Sequence, residues 1–230
     1  LSNMNLHIKN AVVAIEDSEF YNHRGVRFIS IIRAVFSKIF GSYTQGGSTI
    51  TQQLIKNTLL TQERTYVRKI KEWVLAIKLE QTMSKEKILE HYLNEIPYGG
   101  NIYGIEEAAK TYLNKSAQDL NLTEAAYLAA IPKAPSILSP HRIHSVNGQN
   151  EKNKINQKKL EDRKNLVLSR MLELRFISQL EYDKALKEIT TFTSKWNKGD
   201  KENKGNYGIK APHFVFFIKD YLEEKYKNEF

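Results

Sequence analysis

The sequence predicts a mainly α-helical chain with a small β and linker element at its C-terminal end. Three observations carry that expectation. Apolar residues recur at helical spacing through most of residues 7–188, capping residues stand where several of these runs begin, and few stretches compete as strands.

The first helix is expected over 7–18, where Ala11-Val12-Val13-Ala14-Ile15 runs into EDSEFYNHRG at 16–25. An acidic end followed by aromatics and glycine is an ordinary way to leave a helix. Acids at a helix C-terminus oppose its dipole, however, so Glu16, Asp17 and Glu19 are misplaced unless the carboxylates have other work. Phe28 to Phe40 follows as 13 residues broken by Arg33 and Lys38. It is too short and too charged to span a bilayer, and suits a core helix or an interfacial one.

GGSTITQQ at 46–53 opens a helix over 48–60. Small polar donors at a helix start favour anions, yet the GxxxxGK[ST] pattern is missing, and taken alone Gly46-Gly47 reads rather as a hinge before an N-cap Ser48. Over 64–82, Arg64, Arg68, Lys71 and Glu72 fall within an arc of about 100°, with Val67, Ile70, Trp73, Val74 and Ile77 opposite. That face is either a solvated one carrying an Arg68–Glu72 pair or a cationic bed for a phosphate. Further helices are expected at 84–95 opening at Ser84, at 104–113, at 123–131 between Thr123 and Pro132, at about 152–174, and at 179–188 behind a Ser178/Glu181 capping box. The best strand is 213–218. The polar stretches 141–158 and 194–208 read as loops, and a domain boundary is expected near 190.

At 230 residues, 41% hydrophobic and 27% charged, the chain can bury a core. A net charge of +9 points to an anionic partner: nucleic acid, membrane or phosphorylated substrate. The absence of cysteine excludes disulfides, thiolate catalysis and cysteine-based zinc sites, and the absence of HExxH excludes a metalloprotease of that kind. His23 reads as a structural member of its loop. Glu90 and Asn94 read as scaffold, and Arg163 and Arg170 either close the back of a cleft or, as the preferred reading, pair with neighbouring acids such as Glu161 and Asp162.

Five segments, in order, carry a resemblance: EDSEFYNHRG at 16–25, GGSTITQQLIKN at 46–57, RKIKE at 68–72, KEKILEHYLN at 85–94 and RKNLVLSRM at 163–171. They resemble the motifs of the peptidoglycan glycosyltransferases, which include the N-terminal modules of class A penicillin-binding proteins and stand-alone monofunctional enzymes. The likeness covers roughly residues 9–190. It implies a lysozyme-like helical domain over 1–190, with 191–230 a linker toward a further module. The set SxxK, SxN and KTG is incomplete, since no KTG occurs, so covalent β-lactam binding is not expected.

The resemblance also implies a reaction. Lipid II and a nascent glycan chain would be the substrates, joined by inverting transfer into a β-1,4 strand with release of polyprenyl pyrophosphate. Glu16 would be the general base and Glu72 would stand on the leaving-group side. Lys56, Arg64, Arg68, Lys69 and Lys71 would bind the diphosphate, with Lys69 off the shared arc and free to pair with an acid. Ser48, Thr49 and Gln52 would line the cleft, with Asp17 and Phe20 also at the substrate. A divalent cation, Mg²⁺ or Mn²⁺, is compatible with Glu72 but no spacing defines a cage.

The implied setting is the outer face of the bacterial cytoplasmic membrane, with an N-terminal transmembrane anchor. The anionic membrane surface and other cell-wall synthesis proteins would be partners, and nucleic acid would not. The Phe28–Phe40 segment would be a membrane-contacting flap. Arg27, Asn114 and the loop after Pro140 depart from the family pattern. A glycan hydrolase would share the two carboxylates, though it has little use for the cations. A nucleic-acid-binding helical domain would share the charge but lacks interleaved aromatics.

Overall fold

The computed structural model describes residues 5–27, 47–60, 65–140 and 151–193. Among them the chain is helical, with one two-stranded hairpin. The expected strand at 213–218, the Phe28–Phe40 segment, Arg64 and the stretch 194–208 lie outside the described residues.

α1 (Leu6–Glu16) starts at Asn5, whose side chain accepts from His7 N and donates to the carbonyls of Gln118 and Leu120 at 2.8 and 2.7 Å. The cap therefore ties the helix start to a distant loop. α1 buries Ile8 and Ala11–Ala14 against α6 (Leu122–Ala130) and α8 (Glu151–Glu173). Residues Thr123 to Ala130 of α6 are all buried, and a helix apolar on most sides belongs at the centre of a core.

A second group packs beside it. α2 (Ile50–Thr58) lies against α3 (Tyr66–Thr82) and α4 (Lys85–Glu95). α2 opens on a capping box of Thr49 and Gln52, so its cap is Thr49 and not Ser48. After α4 comes a hairpin that the sequence reading did not include, β1 (Pro97–Gly99) pairing antiparallel with β2 (Ile102–Tyr103). α5 (Ile105–Leu113) ends on Asn114 at φ 55°, a left-handed position. The departure from glycine at 114 is thereby explained, because asparagine is the other residue that adopts this conformation readily.

The short α7 (Pro135–Leu138) leads toward α8, and α9 (Gln179–Lys187) follows it. The predicted Ser178/Glu181 box is present. α6, in contrast, is opened two residues earlier than expected, by a box of Asn121 and Glu124. α8 matches the helix expected at about 152–174, so residues 151–158, also counted in the polar stretch read as loop, are its first turns. Beyond α9 the chain stays on the body: Thr193 donates to the carbonyls of Tyr112 and Thr111 at 2.8 and 2.6 Å, and Phe192 meets Tyr127 edge to face. The helical body thus reaches at least Thr193.

α3 does not divide as its spacing suggests. Tyr66, Val67, Ile70 and Val74 are 81%, 64%, 55% and 37% exposed, while Glu72, Ala76 and Leu79 are buried. Of the side read as apolar, only Trp73 and Ile77 pack against the core, and the acid from the other side faces the protein.

Candidate active site

α1 ends on Glu16, which places this carboxylate at the edge of the core with its side chain 13% exposed. Its Oε2 accepts from Gln53 Nε2 at 2.9 Å. Its Oε1 faces the Arg163 guanidinium, Nη2 at 3.6 Å, and accepts no hydrogen bond. Gln53 is held in turn by Tyr92, whose hydroxyl donates to Gln53 Oε1 at 3.2 Å. Tyr92 and Tyr98 are fully buried, and burial first, then the negative charge of Glu16, pushes both phenols up. Burial pulls the Arg163 guanidinium down while Glu16 opposes the shift. Arg163 thus serves Glu16 rather than Glu161, which pairs with Lys164 and Tyr127, and Arg170 pairs with Glu173.

Asp17 points elsewhere. It is buried, and its Oδ2 accepts from Ile50 N at 3.1 Å and from His23 Nε2 at 2.7 Å. Ile50 is the first residue of α2, so an internal carboxylate already occupies the place where that helix start would attract an anion. His23 Nδ1 accepts from Lys85 Nζ at 3.3 Å, because an ammonium can only donate, and this fixes the ring proton on Nε2 toward Asp17. His23 is the structural clamp that the sequence suggested. Phe20, expected at the substrate, is completely buried under the Lys85 ammonium, 4.5 Å from its ring centre, and packs as core. Gly25, at φ +83°, lies so close to α3 that a Cβ would stand 2.6 Å from the Ala76 carbonyl oxygen, while Thr49 Oγ1 donates to the Gly25 carbonyl at 2.6 Å.

Glu72 is the second acid, 1% exposed on the inward face of α3. Its Oε1 accepts from Lys69 Nζ and, at 3.1 Å, from Gln52 Nε2. Lys69 also donates to Ser48 Oγ at 2.9 Å, and Gln52 Oε1 accepts from Thr49 N at 2.9 Å. Lys69, off the arc in the sequence reading, is therefore the cation that pairs with Glu72, and Arg68 is not. Arg68, Lys56 and Lys71 form no ion pair with another described residue; Lys56 and Lys71 are exposed and Arg68 is half-buried.

Two neighbouring residues of α2 thus reach the two acids, Gln52 donating to Glu72 and Gln53 to Glu16. Successive helical residues diverge by about 100°, so one turn can serve two carboxylates on different flanks. Sequence reasoning missed Gln53, Tyr92 and Tyr98, and for Arg163 it preferred a pairing with neighbouring acids over the place at the cleft that the structure gives it. The adjacent glutamines at the start of a polar helix were the available signal for the first. For a divalent cation, Glu72 offers its Oε2, which is buried without a hydrogen bond while Oε1 is taken by a lysine and an amide; no group of three His, Asp or Glu among the described residues stands ready to hold a metal.

Comparison with known proteins gives the family of the chain. A family model described as transglycosylase matches residues 1–172. Penicillin-binding protein 1A of Clostridium perfringens is 42% identical over 96% of this chain and 32% of its own length. Penicillin-binding protein 1A of Haemophilus influenzae is 47% identical over 78% of this chain and 20% of its own. The crystal structure of a penicillin-binding protein 1A from Haemophilus influenzae covers 78% of this chain and 20% of its own at 28% identity, with a TM-score of 0.41, so the assignment stands on the sequence match. The chain spans about a third or less of the length of these relatives. With the family model matching well over half of its residues, the chain belongs to the transglycosylase family.

Proposed function

We propose that the chain is a peptidoglycan glycosyltransferase domain that polymerises lipid II at the outer face of the bacterial cytoplasmic membrane. The observation that carries this reading is the state of Glu16. One of its oxygens is held by Gln53, while the other lies beside Arg163 and accepts no hydrogen bond. Oε1 thus keeps lone pairs that no donor uses, as a base needs if it is to take the proton of an acceptor sugar 4-hydroxyl. The hydroxyl oxygen then bonds to the anomeric carbon of an α-linked donor, the bond from that carbon to the diphosphate breaks, and the diphosphate leaves with the electron pair. The product is β-linked. Cations already aimed at the leaving group stabilise its growing charge. Arg68, Lys71 and Lys56 are the cations that remain outside ion pairs with described residues. Glu72 acts through Lys69, fixing that ammonium between its own carboxylate and Ser48.

The exposed stripe Tyr66, Val67, Ile70 and Val74 lies on the same helix as Arg68, Lys69 and Lys71. Apolar side chains flanked by lysines suit the interface of an anionic membrane, where a polyprenyl-linked substrate is found. Among the described residues no helix is long and apolar enough to cross a bilayer.

The test is polymerisation of labelled lipid II by the reconstituted protein and by Glu16→Gln and Glu72→Gln. The parent is expected to make polymer and Glu16→Gln to lose about 10²- to 10⁴-fold in rate while remaining folded. A folded Glu16→Gln protein that polymerises at the parental rate would overturn the assignment of the base.

A further inference from the structure

We propose that Tyr92 is a positioning residue for Glu16, acting through Gln53 from outside the reach of substrate. This rests on the reading of Glu16 as the base. The three groups form a chain in which each hydrogen bond fixes the next. The Tyr92 hydroxyl donates to Gln53 Oε1 at 3.2 Å, and Gln53 Nε2 donates to Glu16 Oε2 at 2.9 Å. A primary amide has one acceptor end and one donor end, so the bond made at one end dictates what the other end presents. With Tyr92 donating, Gln53 presents its NH₂ to the carboxylate. Turned over, it would set a carbonyl oxygen against Glu16 and repel it.

The amide is therefore a two-way switch, and Tyr92 holds it one way. Its hydroxyl is suited to the task because the residue is completely buried in α4 against the core. The consequence for Glu16 is directional. With Oε2 held, the oxygen without a hydrogen bond is Oε1, beside Arg163, so the base presents a fixed oxygen. The preorganisation is supplied by a residue that substrate never touches.

The experiment is a double-mutant cycle on the reconstituted protein, measuring lipid II polymerisation for the parent, Tyr92→Phe, Gln53→Ala and the double variant. Tyr92→Phe removes a single hydroxyl, and its melting temperature reports whether the core is intact. Losing one buried hydrogen bond that orients the amide is expected to lower kcat about tenfold with little change in KM. Gln53→Ala is expected to lower it further. In the Gln53→Ala background, Tyr92→Phe is expected to change the rate by less than about twofold, because its route to Glu16 is gone.

A folded Tyr92→Phe protein with parental kcat would overturn the proposal, as would equal effects of Tyr92→Phe in both backgrounds. A parental rate in Glu16→Gln would instead refute the base itself, and this inference with it.

Discussion

A Cβ on Gly25 would meet backbone, and a Cβ on Gly100 would meet open space, although both residues have positive φ, +83° and +58°. The pair separates two costs that are usually mixed. Gly100→Ala pays for conformation alone, about 1 kcal/mol. Gly25→Ala adds a clash with the Ala76 carbonyl, which belongs to a packed helix and cannot swing away, so a loss above about 2 kcal/mol is expected. For a protein of this size that is a fall in melting temperature of roughly 2–4 °C for Gly100→Ala and at least twice that for Gly25→Ala, readable by calorimetry. The Gly25 loop carries Asp17 and follows directly from Glu16, so the activity of Gly25→Ala is expected to fall with its stability.

At the scale of elements, α5 offers a pH-dependent contact. Glu106 lies in its first turn. Desolvation pushes its carboxyl up, but hydrogen bonds from the Ala117 N–H and Ser116 and the nearby Lys110 outweigh it and hold the group below the usual range. A depressed carboxylate stabilises the fold above its unfolded pKa and loses that contribution as pH falls through its folded value. Glu106→Gln is therefore expected to melt lower than the parent at pH 7 and alongside it in strong acid. The group is largely solvent-exposed, so the gap is small and shrinks with added salt.

The elements also show what was legible in the sequence. The Ser178/Glu181 box at α9 was readable because cap and partner are three residues apart. The start of α6 was misread because Thr123, the residue that looked like a cap, donates to Glu188 on the far side of a packed interface, and Asn121 does the capping. The hairpin after α4 is set by glycines at positive φ and is too short for any periodicity to mark it. On α3, apolar spacing correctly indicated a two-sided helix but could not say which side faces protein. In the site, Glu16 and Glu72 were legible through their motifs. The set around Glu16 was not, since Gln53 lies 37 positions from it and Tyr92 lies 39 from Gln53, distances that only the fold closes.

For the molecule as a whole, a charge of +9 and an exposed apolar stripe act together. On the proposed function, long-range attraction would bring the protein to an anionic bilayer and the stripe would hold it there, so binding to anionic vesicles is expected to weaken as salt rises, since the Debye length shrinks from about 10 Å at 0.1 M to about 3 Å at 1 M. Val67→Asp and Ile70→Asp are expected to bind vesicles several-fold less tightly in sedimentation while melting like the parent, because neither side chain is part of the core. Unchanged binding would assign the contact to another surface. The same stripe governs how the protein behaves once it is taken off a membrane. In plain buffer four apolar side chains face water, and the nearest remedy is another molecule of the same kind. Purified material should therefore cloud on concentration and clear with a mild detergent, and Ile70→Asp should stay clear without it.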